Sequence, residues 1–308
     1  MSTKQSIRFY KDREVRAIWN DEQSKWFFSI VDIVAAITRS PRPRVYWGTV
    51  KNRQKTQYGE LYSKCIQLKL LSADGKRYAT DCFAQEDIIE VVKTLPAKNT
   101  AAFLDWFTYS DNTIDGQSRK KAYTFWESNM ISDAEVGTVK ALQKIHAYLF
   151  GGLYDFAGKI RQVNIAKGGF QFAMAQYLLQ TLEQIEHMPE NTFDEIVDKY
   201  VEMNIAHPFR EGNGRSTRVW LDLIFKKRLQ RCVDWSRIPK NEYLDAMIRS
   251  AVDANAIRDL LRNALTDQIN DRELFMKGID YSYYYEQSRT NRQNEVAENK
   301  KINHALST

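Results

Sequence analysis

Short runs in which apolar and polar residues alternate, rich in Ile, Phe, Val and Trp, occupy residues 7–19 and 25–28 and predict strands of a small sheet. Ser29 then precedes Ile30, Ile33, Val34 and Ile37, whose spacing predicts a helix ending near Ser40 and Pro41. Strand-like runs at 66–71 and 78–83 flank a turn at Asp74 and Gly75; helices are expected at 86–94, stopped by Pro96, and at 98–107. The polar stretch 110–118 reads as a linker. Beyond it the apolar spacing settles near 3.6 over 134–150, 175–187, 193–205, 215–229 and 240–254. One segment departs from that rhythm. Residues 158–172, GKIRQVNIAKGGFQF, alternate Ile160, Val163 and Ile165 around Lys167-Gly168-Gly169 and predict a β-hairpin projecting from a helical body. The expected fold is therefore a small α+β N-terminal domain, residues 1–110, followed by a mostly α-helical domain with a hairpin, residues 111–290. Residues 291–308 form a polar tail, read as disordered or as a surface helix.

Charge sharpens that division. The chain's net +6 lies entirely in residues 1–110, which carry 18 Lys and Arg against 12 Asp and Glu, while the remainder holds 27 of each. A basic module joined to a neutral one suits a polyanionic partner for the first and other work for the second. Residues 39–55 place Arg39, Arg42, Arg44, Lys51, Arg53 and Lys55 around Tyr46 and Trp47 with no acid among them. Such a mixture fits phosphate and base contacts, and it equally fits a solvated basic loop whose aromatics return to the core. Cys65, Cys82 and Cys232 form no CxxC pair, so neither a disulfide framework nor a cysteine zinc site is expected, and a reducing cytoplasm is the simpler compartment. The charged first twenty residues predict no signal peptide, and the most apolar stretch, 26–37, is too short and polar to cross a bilayer.

The chemistry concentrates in residues 207–218, HPFREGNGRSTR, between two helical patterns. Pro208 cannot continue the preceding helix, and Gly212-Asn213-Gly214 allow a tight turn into the next. A helix N-terminus there would offer oriented N–H groups and the positive end of its dipole to a phosphate. Arg215 and Arg218 project from neighbouring positions on its first turn. His207 can serve as a general base, and Glu211 offers oxygen to magnesium. Taken singly each has an ordinary role: a capping histidine, a turn, a solvated arginine pair.

Taken together, the segment resembles the signature of the Fic family, H-x-F-x-[D/E]-G-N-G-R-x-x-R, with every fixed position met; the likeness takes in the upstream IHAYLFGGLYDFAGKIR and the hairpin and covers about residues 115–290. The resemblance implies transfer of the AMP moiety of ATP to a Tyr, Ser or Thr hydroxyl of a target protein. It implies His207 as base, Glu211 as the magnesium ligand, Gly212, Asn213 and Gly214 as phosphate donors, and Arg215 and Arg218 as neutralisers of the β and γ charge. Phe209 is expected to pack. The hairpin resembles the family's flap, which pairs with the target main chain; Lys167 at its tip is a solvated turn residue or a target contact. Members that act as kinases tend to carry lysine at the position of Gly214, so Gly214 favours AMP transfer, while UMP or phosphocholine transfer stays open because nothing selects the base. One class of the family carries an inhibitory helix, [S/T]-x-x-x-E-[G/N], whose glutamate pairs with the second arginine. Ser282 and Glu286, within 278–288, fit that pattern and Gln287 departs from it; an aromatic terminal helix that merely packs is the other reading.

The N-terminal part, about residues 5–107, is similar to the BRO-N domain of phage antirepressors through WFFSIVDIVAAI and CFAQEDIIEVVKTLPAKNTAAFLDWF. That resemblance implies DNA binding; docking to an acidic protein is the alternative. A non-enzymatic regulator, whose second domain only senses nucleotide, is the rival to the enzyme.

Overall fold

The computed structural model describes residues 5–20, 22–72, 75–167 and 169–287; Asp74, Gly168 and the polar tail 291–308 lie outside them. Three antiparallel strands, β1 (Gln5–Tyr10), β2 (Arg13–Asn20) and β3 (Lys25–Ser29), open the chain. Helix α1 (Ile30–Thr38) follows, its first turn capped by Ser29 Oγ, which accepts from Asp32 N–H at 3.1 Å. Next come α2 (Pro43–Arg53), α3 (Lys55–Ser63), β4 (Ile66–Leu71), β5 (Arg77–Ala84), α4 (Gln85–Lys93) and α5 (Thr100–Tyr109). The sheet order is β1-β2-β3-β5-β4, antiparallel throughout. Side-chain alternation splits its residues between two faces: Phe28 and Phe83 pack with Ile33, Val34, Phe103 and Phe107, while Phe27, Cys82 and Ala84 join Ile18 and Leu70 on the other side.

Helix α6 (Ile114–Thr124) occupies most of the stretch read as a linker. Thr113 caps it, accepting from Gly116 N–H at 3.0 Å, and Gly116 is required by packing because a Cβ there would strike the backbone at Ser110 and Asp111. After it stand α7 (Val139–Phe150), a hairpin of β6 (Ala166–Lys167) and β7 (Phe170–Gln171), α8 (Ala175–Glu186), α9 (Phe193–Ala206) and α10 (Asn213–Leu229). The chain continues through β8 (Cys232–Val233), α11 (Lys240–Arg249), α12 (Asn255–Ala264), β9 (Leu265–Thr266) and α13 (Arg272–Glu286). Trp220, Ile224 and Phe225 of α10 share one core with Ile145 and Leu149 of α7, Tyr200 of α9 and Tyr283 and Tyr285 of α13. No helix among the described residues is long and apolar enough to cross a membrane.

Three further expectations change. The hairpin keeps only two residues per strand, because residues 158–165 run without regular pairing and Arg161 binds four carbonyls instead of extending a ladder. The pattern begun at 134 is interrupted by Gly137 at φ 88°, so α7 starts only at Val139. Residues 39–55 are mostly helical, with Pro43 at the first turn of α2. There Trp47 is buried and donates to Asp81 at 2.9 Å, Lys51 reaches the same carboxylate at 3.1 Å, and Arg39, Arg42, Arg53 and Lys55 remain exposed.

Candidate active site

Helix α9 enters through a capping box, Thr192 with Glu195, and ends at His207, whose left-handed backbone (φ 50°, ψ 65°) turns the chain out of the helix. That turn is fastened from several directions. Arg161, buried to 3% exposure, donates to the carbonyls of His207 at 2.8 Å, Ala206 at 3.0 Å, Val163 at 2.7 Å and Ala173 at 2.5 Å. Asn213 closes the loop from inside: Phe209 N–H donates to Oδ1 and Nδ2 donates to the Phe209 carbonyl, both at 2.8 Å. The Asn213 amide, expected on a phosphate, is thus committed to the loop, and the residue is 3% exposed. His146 completes the fastening, since Gly158 N–H donates to Nδ1 at 2.9 Å and Nε2 therefore donates to the Glu211 carbonyl at 2.8 Å. Burial pushes the His146 pKa down to about 4, which keeps this tautomer neutral.

His207 lies flat on Phe172, ring centroids 3.8 Å apart, and its Nδ1–H donates to the Asn204 carbonyl at 3.1 Å. Nε2 is then the basic nitrogen. Burial holds the ring's pKa down at about 4, so the neutral form prevails at pH 7.

Gly212, at φ 82°, starts α10, and a Cβ there would run into the Phe150 ring. The first N–H groups of α10 have no carbonyl partner within the helix and face the turn. Glu211, its side chain 55% exposed, accepts from Gly212 N–H at 3.0 Å and from Arg215 Nη2 at 2.8 Å. Arg215 also pairs with Asp115 of α6 and lies under the rings of Phe150 and Tyr283. No group of three His, Cys, Asp or Glu that could hold a metal occurs among the described residues. A single exposed carboxylate beside an anion site still suits magnesium, which takes one or two protein carboxylates and completes its shell from phosphates and water.

Arg218, 2% exposed, is held by α13 and α11. Nε donates to Ser282 Oγ at 2.7 Å, Nη2 to the Ser282 carbonyl at 2.8 Å and to Glu286 Oε1 at 2.6 Å, and Nη1 to Tyr243 Oη at 3.1 Å. Burial opposes the Glu286 charge, but Arg218 and then Arg215 outweigh it and hold the carboxyl at about 2. Burial also opposes the Arg218 charge, which Tyr243 and Glu286 nevertheless raise above its usual value. A Cβ on Gly214 would collide with Glu286 Oε1, so the glutamate rests on that glycine. The sequence-predicted residues 207–218, 282 and 286 thus come together; Lys167 stays exposed on the hairpin. Arg161, His146, Phe172 and Asp115 carry no motif of their own in the sequence. The first two lie in the stretch IHAYLFGGLYDFAGKIR, whose likeness to the family was the one available signal.

Residues 137–225 match the Fic/DOC family. The chain is 33% identical over 152 residues to protein adenylyltransferase VbhT of Bartonella schoenbuchensis, covering 45% of this chain and 32% of that protein. It is 30% identical over 118 residues to the probable protein adenylyltransferase y4lH of Sinorhizobium fredii, covering 34% and 61%. The crystal structure of BepC from Bartonella tribocorum with bound AMPPNP aligns at 19% identity and a TM-score of 0.44, over 49% of this chain and 84% of that one. The chain spans about a third of the length of the first of these relatives and under two thirds of the second. A neutral histidine beside an arginine-flanked helix N-terminus therefore sits within the segment that matches the Fic/DOC family.

Proposed function

We propose that this protein transfers the AMP moiety of ATP to a hydroxyl side chain of a target protein. The observation that carries the reading is His207, neutral and with Nε2 as its basic nitrogen, at the edge of the α10 N-terminus. The target hydroxyl oxygen attacks the α-phosphorus, its proton passes to His207 Nε2, the bond to the β-bridging oxygen breaks and pyrophosphate leaves. Backbone N–H groups at Asn213 and Gly214 meet the phosphates, joined by Gly212 N–H once it leaves the Glu211 carboxylate, and Arg215 and Arg218 neutralise β and γ charge. Glu211 would hold magnesium, which supplies positive charge against the α and β phosphates when bound. The hairpin aligns the target by main-chain pairing.

The resting state is autoinhibited in this reading, because the Glu286 carboxylate occupies Arg218 where the γ-phosphate would be neutralised. Incubation with ATP labelled at the α or γ position, wild type beside His207→Ala and Glu286→Gly, tests it. Transfer of α label that needs His207 and rises in Glu286→Gly is expected; label from γ alone, or equal use of UTP, would overturn AMP transfer.

Residues 1–110 are assigned a polyanion, DNA in the first instance, on their charge excess and the exposed Arg39, Arg42, Arg53 and Lys55. Binding of the full chain to duplex DNA should weaken steeply with salt. Absence of binding at low salt would favour an acidic protein partner.

A further inference from the structure

Helix α13 carries two working faces. Ser282 and Glu286, one turn apart, point into the core onto Arg218, while Tyr281 and Tyr284 face the N-terminal sheet. On that outer side Phe9 of β1 stacks on Tyr284 with centroids 4.0 Å apart and meets Tyr281 edge-on at 5.0 Å. Ile7 N–H donates to Asp280 Oδ2 at 2.6 Å. The Tyr284 hydroxyl donates to Asp12 at 2.8 Å and the Tyr281 hydroxyl to Glu14. Asp12 reaches Tyr284 from a tight turn in which both Lys11 (φ 46°) and Asp12 (φ 64°) are left-handed. At the other end of the helix Arg77 of β5 pairs with Glu273 at 2.9 Å. The N-terminal sheet therefore grips the helix along most of its length, from Glu273 to Tyr284, two residues short of Glu286.

We infer that the N-terminal domain is the anchor of the brake: β1 and the Lys11–Asp12 turn hold α13 by its outer face and so keep Glu286 on Arg218. Displacement of the sheet from α13 frees the last turn of the helix and opens the anion site. A carboxylate on the end of a helix competes with a phosphate only while the helix is fixed, and the first fourteen residues and Arg77 fix the outer side of α13, with Tyr123 on Asp280 and Lys240 over Tyr284 beside them. The inference rests on the autoinhibited transfer proposed above. It makes the sheet the input of the switch and α13 the connecting element, with one side biased by each domain.

The test uses the full chain with Asp12→Asn and Glu14→Gln together. Both acids are exposed, so the sheet keeps its core. In the wild-type background this pair is expected to raise α-label transfer about tenfold, the order set by loss of charge-assisted hydrogen bonds, and to tighten binding of a non-hydrolysable ATP analogue by a similar factor. In the Glu286→Gly background, where the brake is already absent, it should change neither. Amide exchange over residues 280–287 should quicken while 193–225 stays protected. Arg77→Glu should release the brake likewise, and adding Glu273→Arg should restore it. An equal rise in both backgrounds, or faster exchange at 280–287 with no change in analogue affinity, overturns the inference. If Glu286→Gly binds the analogue yet transfers nothing, the transfer reading fails, and the analogue affinities still decide whether the sheet sets the brake.

Discussion

Replacing Glu286 with glutamine should move stability and nucleotide affinity in opposite directions. Arg218 is 2% exposed, and its cation is balanced within the protein by the Glu286 carboxylate, with Ser282 and Tyr243 supplying neutral acceptors. Breaking a buried pair of this kind costs about 3–5 kcal/mol. The low end applies here, because Ser282, Tyr243 and the new amide oxygen still accept from the guanidinium, so the variant should lose about 3 kcal/mol of folding stability. The same energy no longer opposes a phosphate arriving at Arg218, and at 1.4 kcal/mol per decade it corresponds to binding tighter by up to about 100-fold. Thermal unfolding with and without a non-hydrolysable ATP analogue, together with calorimetric titration, reads both quantities. The variant should melt lower alone and gain more from ligand. The sign with pH follows from Glu286's folded pKa of about 2 against an ordinary 4.5. The pair contributes fully above 4.5, and the stability difference between wild type and variant should fade as pH drops from there towards 2. A variant as stable as wild type at pH 7, or one with unchanged analogue affinity, would refute the reasoning.

Other outcomes follow from the same geometry. With His207 held near 4, the acid limb of the transfer rate in Glu286→Gln should lie near pH 4, and a limb near 6.5 would show that the ring is solvated in the working enzyme. Gly212→Ala should cost about 2 kcal/mol or more in thermal unfolding, since it combines φ 82° with a clash on Phe150, whereas Gly152→Ala, at φ 76° in open space, should cost about 1 kcal/mol from backbone strain alone. Arg161→Met leaves four carbonyls, the buried one of Ala206 among them, without their donor and should lower stability by on the order of 2 kcal/mol, with transfer reduced as the His207 turn loosens.

The candidate site was largely legible because residues 207–218 are adjacent in the chain: Pro208 and the glycines set the turn wherever it lies in space, and Arg215 and Arg218 must share the first turns of one helix. What holds that turn was not legible. Arg161 and His146 find their partners only once α7, α9 and the hairpin have packed, and nothing in their spacing names a carbonyl 46 or 65 residues away. The strands and α1 followed from alternation and a serine cap, yet 110–118 misled, since Asn, Asp, Ser and Gly serve helix starts and close approaches as well as linkers. Gly116 is there for contact with Ser110 and Asp111 rather than for freedom. The basic stretch 39–55 divided between two readings; α2 turns Trp47 inward and leaves Arg53 exposed, as is Arg42 just before it.

The placement of α13 also bears on how the protein can be cut. Residues 137–225 carry the family match, but Met276, Ile279, Tyr283 and Tyr285 are buried, and the last three belong to the same core as Trp220. A fragment stopping at 225 would strip that apolar wall from α10 and expose it to water, inviting aggregation. A fragment starting after 110 would instead bare Tyr281 and Tyr284. A soluble piece is expected to need both β1 and α13, so expression trials become a measure of where one folding unit ends.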